Sequence, residues 1–171
     1  MGQKTYGYNT PVGIPGGIYD LNDYISNTRI NEEKDGKLLF GVGVIIGSEA
    51  GKEVALPVEG ATAAQFEGVV MNTGTTEMDK YGKVAIPERA TVGIMSRGRI
   101  WARVSEDAIP EYDKTLYLIT KGDNAGFFTT VEDEATKIAL NARFISSNTS
   151  DGIAAAELFG GVVSETIATN A

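Results

Sequence analysis

The sequence predicts an all-β protein, an antiparallel β-sandwich or barrel of roughly 8–10 short strands with an extended N-terminal arm. Apolar runs are short, and Gly, Asn, Asp or Pro interrupts them at nearly regular intervals. Many runs alternate between apolar and polar residues, which is typical of a strand with one buried face. The 21 glycines of the chain fit closely spaced strands and turns.

The candidate strands follow one another along most of the chain. They cover residues 38–46, 53–58, 66–71, 83–86, 91–96, 99–104, 115–120, 126–130, 136–145 and 153–159. Between positions 99 and 104, two sets of side chains should point in opposite directions: Ile100, Ala102 and Val104 to one face, and Arg99, Trp101 and Arg103 to the other. Residues 132–144, "EDEATKIALNARF", also show a helical spacing, but the β-forming residues at 130–131 and 144–145 favour a strand.

Turn residues between these runs predict hairpins. "KGDNAG" at 121–126, "SRGR" around Gly98 and "NTSDG" before Ile153 all contain residues that tolerate a positive φ angle. Each of these segments is therefore expected to reverse the chain between two strands.

The chain begins with a segment of a different kind. Residues 5–21, "TYGYNTPVGIPGGIYDL", have neither helical nor strand periodicity, yet they are rich in Tyr, Ile, Gly and Pro. A frayed terminus is normally polar, so we expect this arm to be ordered against another surface. The predicted organisation is an arm and linker at 1–36, with a linker or short helix in its second half, a β domain at 37–161 and a polar tail at 162–171.

Composition excludes several classes of function. The formal net charge is −8, which disfavours nucleic acid and anionic membranes as partners. The chain contains no Cys and no His, which excludes disulfides, Cys/His zinc sites and the triads that depend on His or Cys. No apolar stretch approaches the roughly 20 residues of a transmembrane helix, and the N-terminus lacks a signal-peptide pattern.

No motif in the sequence demands catalysis. The glycines of "FGVGVIIG" lie within an alternating apolar run rather than between a strand and a helix, so they indicate a close backbone approach and not a nucleotide loop. The acidic groups in "SEDAIPEYD" and "VEDEAT" lack the spacing of a calcium loop and are expected to be solvated turns. We therefore expect no catalytic residues, no cofactor and no metal.

One patch could be functional. Arg97, Arg99 and Arg103 surround Trp101, the single tryptophan. The patch is either a solvated strand face or a protein contact, because Trp, Tyr and Arg are enriched at interface hot spots.

Five segments occur in an order that carries a resemblance: "KLLFGVGVIIGSEAGKEVALPVEG", "QFEGVVMNTG", "KVAIPERATVGIMSRGRIWARV", "YDKTLYLITKGDNAGFFTT" and "ARFISSNTSDGIAAAELFG". In this order, over residues 37–161, the chain resembles the decoration, or structural cement, proteins on the heads of tailed bacteriophages. It differs at Tyr112, where members of that family often have Gly before the Asp.

The resemblance implies a virion protein on the outer surface of the assembled capsid, formed in the host cytoplasm during assembly. It implies binding to the major capsid protein, bridging of neighbouring capsid subunits, association of copies as a homotrimer, and no enzymatic activity. The alternatives are another virion module from a tail or fibre, an enzyme that uses carboxylates alone, and a non-viral oligomeric β-sandwich.

The arm is the expected contact surface. We expect it to lie over capsid subunits or neighbouring copies by strand addition, with its ordering favoured by Pro11 and Pro15 and a bend at Gly16–Gly17. The expected capsid or inter-subunit contacts are Tyr6, Tyr8, Ile14, Ile18 and Tyr19 in the arm and Arg99, Trp101 and Arg103 in the β domain. Deletion of residues up to Leu21 is expected to abolish capsid occupancy and to leave a folded domain.

Overall fold

The computed structural model describes residues 13–73, 86–147 and 152–161, and these residues contain nine strands, one short 3₁₀ helix and no α-helix. The all-β prediction is confirmed. The strands are β1 (Ile25–Asn31), β2 (Gly43–Ile46), β3 (Glu53–Ala55), β4 (Phe66–Val70), β5 (Thr91–Arg103), β6 (Thr115–Ile119), β7 (Phe128–Thr129), β8 (Lys137–Phe144) and β9 (Ile153–Leu158), and the 3₁₀ helix is Ala63–Gln65. Within these ranges no helix is long and apolar enough to cross a bilayer.

The first five strands close into a small barrel. Their order is β1-β3-β2-β4-β5, and β5 pairs back with β1. The β1–β3 pairing is parallel, and the others are antiparallel. Closure leaves few unpaired strand edges. The barrel interior is filled by aliphatic side chains, namely Leu38, Val42, Val44, Val54, Val70, Ile86, Val92 and Ile94.

The remaining strands form a second sheet that shares β5 with the barrel. Its order is β5-β9-β8-β6-β7, and an isolated bridge between Val104 and Phe128 brings β7 back to the end of β5. The core of this part includes Ile100, Ala102, Leu118, Phe144 and Ala156, so the predicted inward face of residues 100–104 is confirmed. The other face of β5 and β9 carries Trp101, Ile153 and Ala155.

Strand β5 runs through Gly98, where the sequence predicted a hairpin turn, so that prediction is wrong. Gly98 has φ +127°, and a Cβ there would lie 2.5 Å from the Cβ of Tyr24. The residue lies where β5 leaves its partners β1 and β4 and begins to pair with β9. The positive φ that indicated a turn therefore allows a strand to pass from one sheet to the next.

The predicted linker or short helix also proves wrong, because β1 lies within it. Strand β1 pairs with β5 from Ile25 to Ile30 and with β3 through Ile30 and Asn31. The polar sequence concealed this strand, because only part of its polarity is solvated: Arg29 pairs with Glu67, and Asn31 has partners inside the fold. Asn31 is fully buried and donates from its side-chain amide to the carbonyl oxygens of Ile86 and Pro87.

Other segments follow the predictions more closely. Residues 137–144 form β8, which confirms the strand over the helix, and "KGDNAG" forms the turn between β6 and β7. The strand predicted at 38–46 begins only at Gly43, after Gly41 with φ +80°. Positions 83–85, most of "NTSDG" and the predicted tail lie outside the described residues.

Candidate interaction face

The described part of the arm, residues 13–21, begins with a tight turn. The backbone N–H of Gly17 donates to the carbonyl of Ile14 at 2.8 Å. Pro15 and Gly16 occupy the two central positions, and Gly16 has φ +76°. This pattern is that of a type II turn, in which the third residue needs a positive φ. The bend expected at Gly16–Gly17 is therefore present.

After the turn the arm adds a short strand to its own domain. Gly16 N donates to the carbonyl of Trp101 at 2.8 Å, Trp101 N to the carbonyl of Gly17 at 2.9 Å, and Tyr19 N to the carbonyl of Arg99 at 3.0 Å. Ile18 bridges Ile100 in antiparallel fashion. The sequence predicted strand addition to another subunit, whereas residues 16–19 add to β5 of the same chain.

Two glycines allow the arm to approach this closely. A Cβ on Gly16 would lie 2.6 Å from the carbonyl oxygen of Val70, and one on Gly41 would lie 2.9 Å from the backbone nitrogen of Gly16. Both residues also have positive φ angles, so a side chain is disfavoured there by the close contacts and by the backbone conformation. The arm is held in a narrow passage between the loop before β2, the end of β4 and β5.

Trp101 lies beneath the arm. Its side chain is only 8% exposed, and its ring centroid is 5.4 Å from that of Tyr19. Gly13 packs directly on the indole, because a Cβ at Gly13 would overlap the ring. Ile153 and Ala155 complete this small cluster. Trp101 therefore anchors the arm of its own chain.

A row of alternating charges crosses the same face, and we call it the charge row: Asp20, Arg99, Glu157, Arg143 and Asp113. Its centre follows from strand register, because Arg99 and Arg143 are the cross-strand partners of Glu157 on β5 and β8. Opposite charges at such positions stabilise a sheet. Arg99 Nε donates to Glu157 Oε1 at 2.9 Å, and Arg143 Nε donates to Glu157 Oε2 at 2.8 Å.

The two ends of the charge row come from outside the sheet. Asp20 in the arm accepts from Arg99 Nη1 at 2.7 Å, so the row ties the arm to the domain. Asp113 accepts from Arg143 Nη1 at 2.9 Å. The rings of Tyr112 and Phe159 lie 5.3 and 5.5 Å from the Arg143 guanidinium, which is within cation–π range.

The charge row shifts the pKa values of its members. Burial opposes ionisation of Glu157, but the hydrogen bonds from Arg99 and Arg143 outweigh burial and lower the pKa of Glu157. The hydrogen bond to Asp20, followed by that to Glu157, raises the pKa of Arg99. The pKa of Arg143 is raised by Asp113 and then by Glu157.

Arg103, on the same face, has different surroundings. Its Nε donates to the carbonyl of Phe40 at 2.8 Å, and its backbone N–H donates to the carbonyl of Gly41 at 2.8 Å. No carboxylate of the described ranges lies within ion-pair distance, and burial lowers the pKa of Arg103.

The predicted contact residues thus separate into groups. Tyr6 and Tyr8 lie outside the described residues. Ile14 is 59% exposed, whereas Ile18 and Tyr19 pack against the domain. Arg99 pairs with Asp20 and Glu157 in the charge row, and Trp101 packs against the arm. Sequence reasoning missed Arg143 and Glu157. Glu157 gave a signal as the single charge of β9, whereas β8 carries Lys137 as well as Arg143.

A second exposed feature spans the last residue of the arm and the start of β1. Leu21, Tyr24 and Ile25 are 92%, 42% and 51% exposed. One edge of β1 pairs with β5, and the other pairs with β3 only through Ile30 and Asn31. On that second edge, residues 25–29 have no strand neighbour in the part of the chain that the structure describes. Such an edge can accept another strand. The described residues contain no cluster of three or more His, Cys, Asp or Glu side chains that could hold a metal ion.

Comparison with known proteins decides the family. The family model described as "Structural cement protein (E217 gp24/Pam3 gp6)" matches residues 2–159. The chain belongs to this family of phage structural cement proteins. The resemblance seen in the sequence is confirmed, and with it the assignment to a capsid-associated structural protein of the virion.

A solved structure shares the fold of this cement protein. A chain of "The capsid of Myoviridae Phage XM1" superimposes with a TM-score of 0.69 at 15% sequence identity, covering 92% of this chain and 96% of that chain. No curated protein matches the sequence.

Proposed function

We propose that this cement protein binds the outer surface of an assembled phage head and bridges neighbouring major capsid subunits. The family match over residues 2–159 carries this proposal. A protein that binds the assembled shell but not separate subunits shifts the equilibrium toward the shell. Many copies around the shell, each touching several neighbours, add avidity. The protein acts by binding alone, without catalysis, and meets the head in the host cytoplasm during assembly.

In this proposal the arm has two parts with different tasks. Residues 13–21 anchor it, because they hydrogen-bond to β5 and cover Trp101. The residues before Gly13 start from this fixed point, so Tyr6 and Tyr8, together with the exposed Ile14, contact a capsid subunit or a neighbouring copy. Anchoring lowers the entropy cost of binding, since one end of the segment is already held. Ile18, Tyr19, Arg99 and Trp101 act by holding the arm.

Contacts between copies use the region around β1. The exposed Leu21, Tyr24 and Ile25 and the unpaired edge at residues 25–29 support this placement, because apolar side chains beside a free strand edge favour association. We propose a homotrimer at each site on the shell.

The proposed function is tested by adding purified protein to undecorated heads and measuring the protein that cosediments with them. Saturable binding to heads, with no binding to unassembled capsid subunits, is the expected result. Electron microscopy of labelled particles separates the head from other virion parts, and label on the tail or fibres would contradict the proposal in favour of a tail or fibre module.

A further inference from the structure

The arginines of this chain differ in their partners. Arg29, Arg89, Arg99 and Arg143 each form an ion pair with a carboxylate. Arg97 and Arg103 have no carboxylate within ion-pair distance among residues 13–73, 86–147 and 152–161. Arg97 is exposed, so water can solvate its charge. Arg103 is half-buried and is therefore the exception.

The Arg103 side chain is held in one orientation. Its Nε donates to the Phe40 carbonyl at 2.8 Å. The loop that carries Phe40 is itself tied to β5, because Arg103 N donates to the Gly41 carbonyl. With Nε engaged, no residue of the described ranges accepts a hydrogen bond from the two terminal amino groups. A guanidinium presents these groups as a fork that matches the two oxygens of a carboxylate.

The energetics favour a ligand at this position. A half-buried cation loses part of its hydration, and no described carboxylate compensates for that loss. Burial accordingly lowers the pKa of Arg103, whereas the carboxylate partners of Arg99 raise its pKa. An incoming carboxylate would supply both the countercharge and the missing acceptors.

We propose that Arg103 is a docking site for an Asp or Glu side chain of a capsid subunit, bound through the two terminal amino groups of the guanidinium. The inference rests on the proposed function and names the chemistry of one contact. The position suits such a contact, because Arg103 is two residues from Trp101, on which Gly13 packs. A subunit that contacts the arm at Gly13 therefore meets the face of β5 that carries Arg103.

The test compares Arg103→Met, Arg103→Lys and the control Arg97→Met in the full chain, by titration onto undecorated heads. Loss of a charge-assisted bidentate contact should weaken binding about tenfold or more for Arg103→Met. Arg103→Lys should restore little of it, because an ammonium cannot form the fork. Arg97→Met should bind within about twofold of the wild type, as expected of an exposed unpaired charge.

Thermal unfolding of the isolated variants separates docking from folding. Arg103→Met loses the hydrogen bond to the Phe40 carbonyl but also removes a half-buried charge that no described carboxylate balances, so it should melt within about 3 °C of the wild type. A melting temperature lowered by several degrees in Arg103→Met and restored in Arg103→Lys would show that Arg103 pairs with a carboxylate of its own chain, and would overturn the inference. Wild-type binding by Arg103→Met would also overturn it, while leaving the proposed function intact. Failure of the wild type itself to bind heads would overturn both.

Discussion

At the scale of single residues, Glu157 is the most constrained side chain of the exposed face. One carboxylate accepts from two arginines on two neighbouring strands. Its side chain is 15% exposed, so solvent screens these contacts less than it screens the pair Lys121–Glu59, where the two side chains are 54% and 63% exposed. Glu157 therefore links β5, β9 and β8 on the face opposite the main core.

Substitution of Glu157 by Gln should lower the melting temperature by a few degrees, because it leaves two arginines with one carboxylate each. Glu59→Gln is the matched control and should leave the melting temperature unchanged, since exposed pairs contribute little. The measurement is thermal unfolding followed by circular dichroism. Equal effects of the two substitutions would contradict a structural role for the charge row.

The lowered pKa of Glu157 also predicts a direction of pH dependence. A carboxylate with a folded-state pKa below its unfolded value stabilises the fold above the unfolded pKa of about 4.3. That stability is lost as the pH falls through the folded pKa. Glu32, Asp107 and Asp133 contribute in the same direction, because side-chain hydrogen bonds lower their pKa values as well.

Unfolding should therefore vary little with pH between 5 and 7 and become easier below about pH 4. Glu157→Gln should show a smaller loss on acidification than the wild type when both are melted over this range. A stability that rises on acidification would contradict the assignment.

At the scale of elements, β5 joins the barrel to the second sheet through Gly98. Gly98→Ala should destabilise the protein by about 2 kcal/mol or more, because it adds backbone strain and a contact with Tyr24. Gly51→Ala is the control, since Gly51 also has a positive φ but no atom within 4 Å of an added Cβ. It should cost about 1 kcal/mol. Chemical denaturation of both variants measures the difference.

The arm is the second element whose role can be separated. A protein lacking residues 1–12 keeps the contacts that cover Trp101 and should melt near the wild-type temperature while losing head binding. A protein lacking residues 1–21 exposes Trp101 and should be destabilised, whereas the sequence predicted only that this truncation leaves a folded domain. Because Trp101 is the single tryptophan, its fluorescence should shift to the red only in the longer truncation. An unchanged spectrum there would contradict the anchoring of the arm.

Sequence patterns predict some strands and faces of this structure correctly and others incorrectly, for physical reasons. Alternation over residues 99–104 correctly assigned the two faces of β5, because alternate side chains of a strand point to opposite faces. It could not show that the outer face is covered by residues 13–21, since that depends on long-range pairing. The sequence predicts a turn at Gly98, because glycine can adopt the positive φ that occurs both in turns and in bends within strands. The sequence does not reveal β1, because the strand is largely polar and the partners of Arg29 and Asn31 come from distant parts of the chain.

At the scale of the whole molecule, the residues that stabilise the fold differ from those that we propose to contact partners. Two cores and closed strand pairing hold the domain, and the arm is fixed to it by backbone hydrogen bonds, by Trp101 and by the charge row. The surfaces that we propose for partners are the residues before Gly13, Arg103 and the edge at the start of β1. This division fits a capsid-stabilising cement protein, which must remain folded while it is bound to the shell.

The central claim, that this cement protein strengthens the head, is tested by the temperature at which DNA-filled heads release their DNA. Undecorated heads are heated alone, with the wild-type protein, and with the protein lacking residues 1–12. Release at a higher temperature with the wild type, and no change with the truncated protein, is the predicted result. Heads that bind the wild-type protein to saturation and still release DNA at the temperature of undecorated heads would contradict the claim.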